Sequence, residues 1–151
     1  MSGQNIQRSI LCGLIGSGIQ ASRTPAMHER EGEEQGRRYV YRLIDIAALG
    51  LGVEALPELL TAAERMGFNG LNITYPFKQQ IIPLLDELSD DARALNAVNT
   101  VVLRDGKRIG YNTDCSGWGE AFRRGLPDVA RKHVVQLGGG DDFAEDRSRA
   151  E

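Results

Sequence analysis

The chain has 151 residues, of which 41% are hydrophobic and 26% charged, and its formal net charge is −3. That is enough for one compact core, whereas the scattered lysines and arginines argue against nucleic acid as a partner. The apolar run at 10–15 is too short and glycine-broken for a signal or membrane segment, so a cytoplasmic protein without membrane association is expected.

Residues 9–16 read as a strand that ends in glycine. After the turn at Gly16, Ser17 and Gly18, the segment Ser22-Arg23-Thr24-Pro25 opens a helix that runs to residue 35 and stops at Gly36. Residues 39–46, β-branched and aromatic, form a second strand. Residues 57–66 carry Leu59, Leu60, Ala63 and Met66 on one helical face, with Gly67 as its cap. Residues 70–75 form a third strand. Residues 77–88, with Ile81, Ile82, Leu84, Leu85 and Leu88 in register, are expected to be a helix, followed by another at 90–95 with Ser89 as N-cap.

Residues 98–103 and 108–111 flank Asp105-Gly106, a strong signal for an antiparallel hairpin. A helix follows at 116–126, and 134–137 is a short apolar strand running into Gly138, Gly139 and Gly140. Residues 141–151 hold five acidic residues, two arginines and one aromatic, and are expected to be a disordered acidic tail. Alternating strands and helices imply a three-layer α/β/α domain, with a mainly parallel sheet plus the hairpin, over residues 8–114. A connecting helix and linker would fill 115–133. Cys12 and Cys115 lie far apart and have no His at metal-ligand spacing, so packing thiols are expected, with neither a disulfide framework nor a metal site.

In an open α/β sheet, ligands bind beyond the carboxyl ends of the strands. Three polar clusters fall at such ends. In the first, Ser22 to Pro25, simple N-capping by Thr24 is a sufficient structural explanation. In the second, Asn72-Ile73-Thr74-Tyr75-Pro76-Phe77-Lys78, alternation sends Asn72 and Thr74 to one face, and Lys78 would stand in a first helical turn where the helix dipole disfavours it. A lysine whose stem covers apolar surface is the plain alternative. The third comprises Asn96-Ala97-Val98-Asn99-Thr100 and Gly110-Tyr111-Asn112-Thr113-Asp114, which ordinary turns could also explain.

Taken in order, Ser-Arg-Thr-Pro, Asn-Ile-Thr-Tyr-Pro-Phe-Lys, Ala-Val-Asn-Thr and Tyr-Asn-Thr-Asp resemble the successive signatures of the shikimate dehydrogenase family, over roughly residues 10–138. Threonine at position 24, where many members have a second serine, looks like the branch that accepts quinate as well as shikimate. The resemblance implies that Ser22 and Thr24 meet the substrate carboxylate, that Thr74, Lys78, Asn99 and Asp114 surround the ring hydroxyls, and that Lys78 and Asp114 are the catalytic pair. The implied reaction is NAD- or NADP-dependent oxidation of a ring hydroxyl to 3-dehydroshikimate or 3-dehydroquinate, which requires an acid/base group at that oxygen.

The resemblance also makes 134–140 the stub of a nucleotide-binding domain whose glycine-rich turn, Gly138, Gly139 and Gly140, would lead to the pyrophosphate. Asp141 and Asp142 would repel that group. The rest of a Rossmann domain is therefore expected to be missing, no cofactor is expected on this chain, and the chain is expected to be inactive alone. Two alternatives stay open: a non-catalytic module that binds shikimate-like hydroxy acids, and a truncated product with no selected role. The choice between shikimate and quinate, and between NAD and NADP, is also open.

Overall fold

The computed structural model describes residues 9–128 and Val135. The strand expected at 134–137, the glycine run 138–140 and the acidic tail 141–151 lie outside the described residues, Val135 excepted.

Among the described residues six strands form one sheet: β1 (Ile10–Gly16), β2 (Tyr39–Asp45), β3 (Gly70–Ile73), β4 (Glu87–Leu88), β5 (Thr100–Arg104) and β6 (Lys107–Tyr111), in the order β2-β1-β3-β5-β6-β4. The β1–β2, β1–β3 and β4–β6 pairs are parallel, while β3–β5 and β5–β6 are antiparallel. The expected hairpin is present, and Asp105 and Gly106 both take positive φ, 54° and 73°, as a two-residue turn between twisted strands requires.

Strand alternation sorts the two faces of the sheet. On one face lie Ile15, Leu71, Ile73 and Val101, which join Leu56, Leu60 and Ala63 of helix α3 (Leu56–Arg65) in the main core. Cys12, Tyr39 and Tyr41 point to the other face, which is covered by helix α1 (Thr24–Glu34). Contact between α1 and the sheet is close, since a Cβ on Gly32 would lie 2.6 Å from Tyr39 Cβ. The helices of successive crossovers thus fall on opposite faces, giving the three-layer α/β/α arrangement. Between β2 and α3 comes a short helix, α2 (Ile46–Leu49), whose N-cap Asp45 accepts a hydrogen bond from Ala47 N–H at 3.1 Å. Helices α4 (Asp90–Leu95) and α5 (Asp114–Gly125) follow among the described residues. Ser89 caps α4 as expected, accepting from Ala92 N–H at 3.2 Å.

One expected helix does not form. Residues 77–88 fold instead as consecutive turns, a 3-10 turn at Ile82–Leu84 and the edge strand β4. Pro83 has no N–H to continue a helix, and the chain beyond it is drawn into the sheet by bonds from Asp86 N–H to Arg108 O and from Ser89 N–H to Gly110 O. The apolar periodicity survives as burial, because Phe77 and Ile81 are both fully buried. Lys78 therefore stands in a turn, and the helix-dipole argument for it does not apply. Cys12 and Cys115 are free thiols. The Tyr39 hydroxyl lies 3.3 Å from Cys12 Sγ, and burial pushes the Cys12 thiol above its ordinary range.

Candidate functional site

The topology brings four polar segments to one edge of the sheet. Parallel β1 and β3 both end there. Antiparallel β5 begins there and β6 ends there. In the order β1-β3-β5-β6, the segments carrying Ser22 and Thr24, Thr74, Asn99 and Asp114 are thus neighbours, spread over three strand spacings or ~14 Å, a span suited to one small molecule.

On the β1 side, Ser22 Oγ donates to Thr24 Oγ1 at 2.9 Å and accepts from Thr24 N–H at 3.2 Å. Thr24 is not the helix cap. It is the first residue of α1, and Arg23, the N-cap residue, makes no side-chain capping bond. Thr74 is held against β1 by its N–H to Ile15 O at 3.1 Å, and Ser17 N–H reaches Tyr75 O at 3.0 Å. Next comes the cis Tyr75–Pro76 peptide. The Lys78 carbonyl accepts from Val98 N–H at 2.8 Å, which ties its turn to the start of β5.

Lys78 Nζ lies 2.9 Å from Asp114 Oδ2, with the lysine side chain 14% exposed and the aspartate 46%. This is a charge-assisted pair with an accessible oxygen side. Asp114 opens α5, and its N–H donates to Asn112 Oδ1 at 3.0 Å. Asn112 is buried and also donates from Nδ2 to Ala97 O at 3.2 Å. Asn99, buried as well, accepts from Thr113 N–H at 3.1 Å and donates to Thr113 Oγ1 at 2.9 Å. Lys78, Asn99 and Asp114 are therefore joined directly or through adjacent residues. Ser22 and Thr24 share this end of the sheet and bond to each other. Gly138, Gly139 and Gly140 lie outside the described residues.

Sequence reasoning missed Asp45. Its carboxylate accepts from Gly18 N–H at 2.8 Å, Ile19 N–H at 3.0 Å and Gln20 Nε2 at 3.0 Å, in addition to Ala47. Burial alone would push its carboxyl up, but these four donors outweigh it and hold the group below the usual carboxylate range. Asp45 thereby shapes the loop that delivers Ser22. An aspartate between a strand and helix-forming Ile46-Ala47 is a recognisable cap signal, though its bonds to Gly18 and Ile19 come from tertiary structure. A hollow of about 390 Å³ lined by Gln20, Arg42, Asp45 and Leu49, among others, contains none of the six proposed site residues.

Comparison with known proteins gives a consistent assignment. Residues 14–101 match the family described as shikimate dehydrogenase substrate binding domain. A shikimate dehydrogenase (NADP(+)) of Arthrobacter sp. (strain FB24) is 57% identical over 136 residues, covering 90% of this chain and 46% of that protein. A quinate/shikimate dehydrogenase (NAD(+)) of Corynebacterium glutamicum (strain R) is 54% identical over 133 residues, covering 87% of this chain and 47% of that protein. The solved structure of quinate dehydrogenase from Corynebacterium glutamicum in complex with NAD superposes with a TM-score of 0.82 at 52% identity, covering 91% of this chain and 49% of that one. The chain spans about half the length of the curated relatives it matches. With a match over more than half its length, on the fold and in the order of segments described above, this chain belongs to the shikimate dehydrogenase substrate-binding-domain family.

Proposed function

We propose that this chain supplies the substrate-holding and proton-handling part of a shikimate or quinate dehydrogenase, acting in the cytoplasm on a ring hydroxyl of a small polyhydroxy acid. The observation that carries this reading is the 2.9 Å contact between Lys78 Nζ and Asp114 Oδ2, at the sheet edge that also carries Thr74, Asn99, Ser22 and Thr24. Oxidation of a secondary alcohol removes a proton from oxygen, and a group must stand at that oxygen to take it. Lys78 offers a positioned nitrogen there, and Asp114 orients it and compensates its charge. The hydroxyls of Ser22 and Thr24 meet the carboxylate of the acid, while Thr74 and Asn99 fix the remaining ring hydroxyls.

The hydride acceptor in this reading is NAD or NADP, the cofactors named for the relatives. No described residue is assigned to hold it.

The reading is tested by titrating the chain with shikimate and with quinate under calorimetry or NMR. Saturable binding of at least one of them is expected, weakened tenfold or more (roughly 1.4 kcal/mol) by Lys78→Ala and by Thr74→Val, with the fold retained. Absence of binding to both acids, or binding indifferent to both substitutions, would overturn it.

A further inference from the structure

Polar side chains form a row that runs from β2 across the α1 face to Thr100 and on through Asn99 to Thr113, two residues past the end of β6. The Tyr41 hydroxyl lies 2.6 Å from Asn72 Oδ1, and Asn72 Nδ2 lies 3.2 Å from Thr100 Oγ1. Thr100 Oγ1 is 3.0 Å from Asn99 Oδ1, and Asn99 Nδ2 is 2.9 Å from Thr113 Oγ1.

Every bond in this row has a forced direction. The anchor is the Thr113 backbone N–H, which can only donate, and it meets Asn99 Oδ1 at 3.1 Å. The Thr100 hydroxyl, beside the same acceptor oxygen, must give its one proton to it. Its own oxygen is then left to accept, so Asn72 turns its amide NH2 toward Thr100 and its carbonyl toward Tyr41. The phenol must therefore be the donor that closes the row. Tyr41 is suited to this, being 4% exposed. Burial, with Cys12 and Tyr39 close by, holds its phenol above the ordinary tyrosine range, so it keeps its proton.

We propose that Tyr41, acting through Asn72 and Thr100, is a positioning residue that fixes the Asn99 amide, so that Asn99 meets the bound acid as a hydrogen-bond donor. One Nδ2 hydrogen of Asn99 serves Thr113 Oγ1, and the other is the one offered to ligand. An amide locked this way selects an oxygen that can accept, namely a hydroxyl lone pair or the carbonyl formed from it. This rests on the reading of Asn99 as a substrate-binding residue. Tyr41 itself belongs to β2, two strands from β3 in the sheet order, and acts only through the row.

The test uses the nitrogen-labelled full chain, comparing wild type with Tyr41→Phe, Thr100→Val and Thr100→Ser. It reads the Asn99 side-chain NH2 resonances without ligand and the affinity for shikimate and quinate. Tyr41→Phe keeps the buried ring, and the Thr100 pair interrupts or preserves the row at an independent point. Tyr41→Phe and Thr100→Val are expected to shift or broaden the Asn99 signals and to weaken binding roughly three- to tenfold, while Thr100→Ser restores both. If the wild-type chain binds neither acid, the functional reading fails, and the Asn99 signals still decide the row. Asn99 signals unchanged in both Tyr41→Phe and Thr100→Val would overturn the proposal, as would shifted signals with unchanged affinity in a chain that binds.

Discussion

Gly16 and Thr74 approach so closely that a Cβ on Gly16 would sit 2.4 Å from the Thr74 methyl carbon, with Ile19 Cγ2 at 3.0 Å and the Tyr75 carbonyl at 3.2 Å. Thr74 is short and β-branched and has little freedom to move aside. Gly16→Ala is expected to cost ~1–3 kcal/mol of stability by overpacking and to displace Thr74. Urea denaturation beside a shikimate or quinate titration checks this, with binding expected to fall further than in Gly117→Ala, where an added Cβ has open space.

Asp45 makes the β1–α1 loop sensitive to acid. Its folded carboxyl lies below the usual range despite burial, because four donors favour the charged form. A depressed folded pKa contributes stability that is fully present above the unfolded carboxyl value of about 3.9 and is lost as pH falls through the lower folded value. Asn in its place would turn an NH2 group toward donors. Melting temperature measured from neutral pH down into the acid range should be lower for Asp45→Asn than for wild type at neutral pH, with the gap closing in acid. A constant gap at every pH would count against this account.

Asn112 joins the start of α5 to the loop before β5, through Asp114 N–H on one side and Ala97 O on the other. Asn112→Ala strands both partners in a buried setting and is expected to cost ~1–3 kcal/mol. The loss should be local first, seen as faster amide exchange at Asp114 and its neighbours than in β1.

Arg108 of β6 clamps the sheet to α3, with its guanidinium 2.7 Å from Glu64 Oε2 and 3.2 Å from Thr61 Oγ1. The pair is partly exposed, with side chains 20% and 33% accessible, so Arg108→Ala is expected to cost about 1–2 kcal/mol. Arg108→Lys should recover little of it, since an ammonium cannot reproduce the planar set of donors. Chemical denaturation of both variants checks the order.

The features legible in the sequence are those whose cause is local. Asp105-Gly106 predicts its hairpin because the turn needs positive φ at both positions, and Ser89 predicts the start of α4 because a cap bonds three residues ahead. The polar segments at 22–24, 74–78 and 114 follow strands, as expected of loops at carboxyl ends, whereas Asn99 precedes β5 and reaches the same end of the sheet because β5 is antiparallel to β3. Its grouping with the others comes from the resemblance, not from local pattern. The apolar spacing of 77–88 suits a helix, but the conformation there is set by Pro83 and by partners on β6, which the spacing does not show. Asp45 signals its cap of α2 but not its bonds to Gly18 and Ile19, and Tyr41 gives no signal of its bond to Asn72, since these partners meet only after the sheet has formed.

The hairpin turn has a practical side as well. Because β5 leaves the candidate site and β6 returns to it, Asp105 and Gly106 project from the opposite rim, five residues or roughly 17 Å along the strands. That rim is where a reporter domain could be inserted between Asp105 and Gly106, leaving the β5–β6 pairing and the groups at the far ends in place.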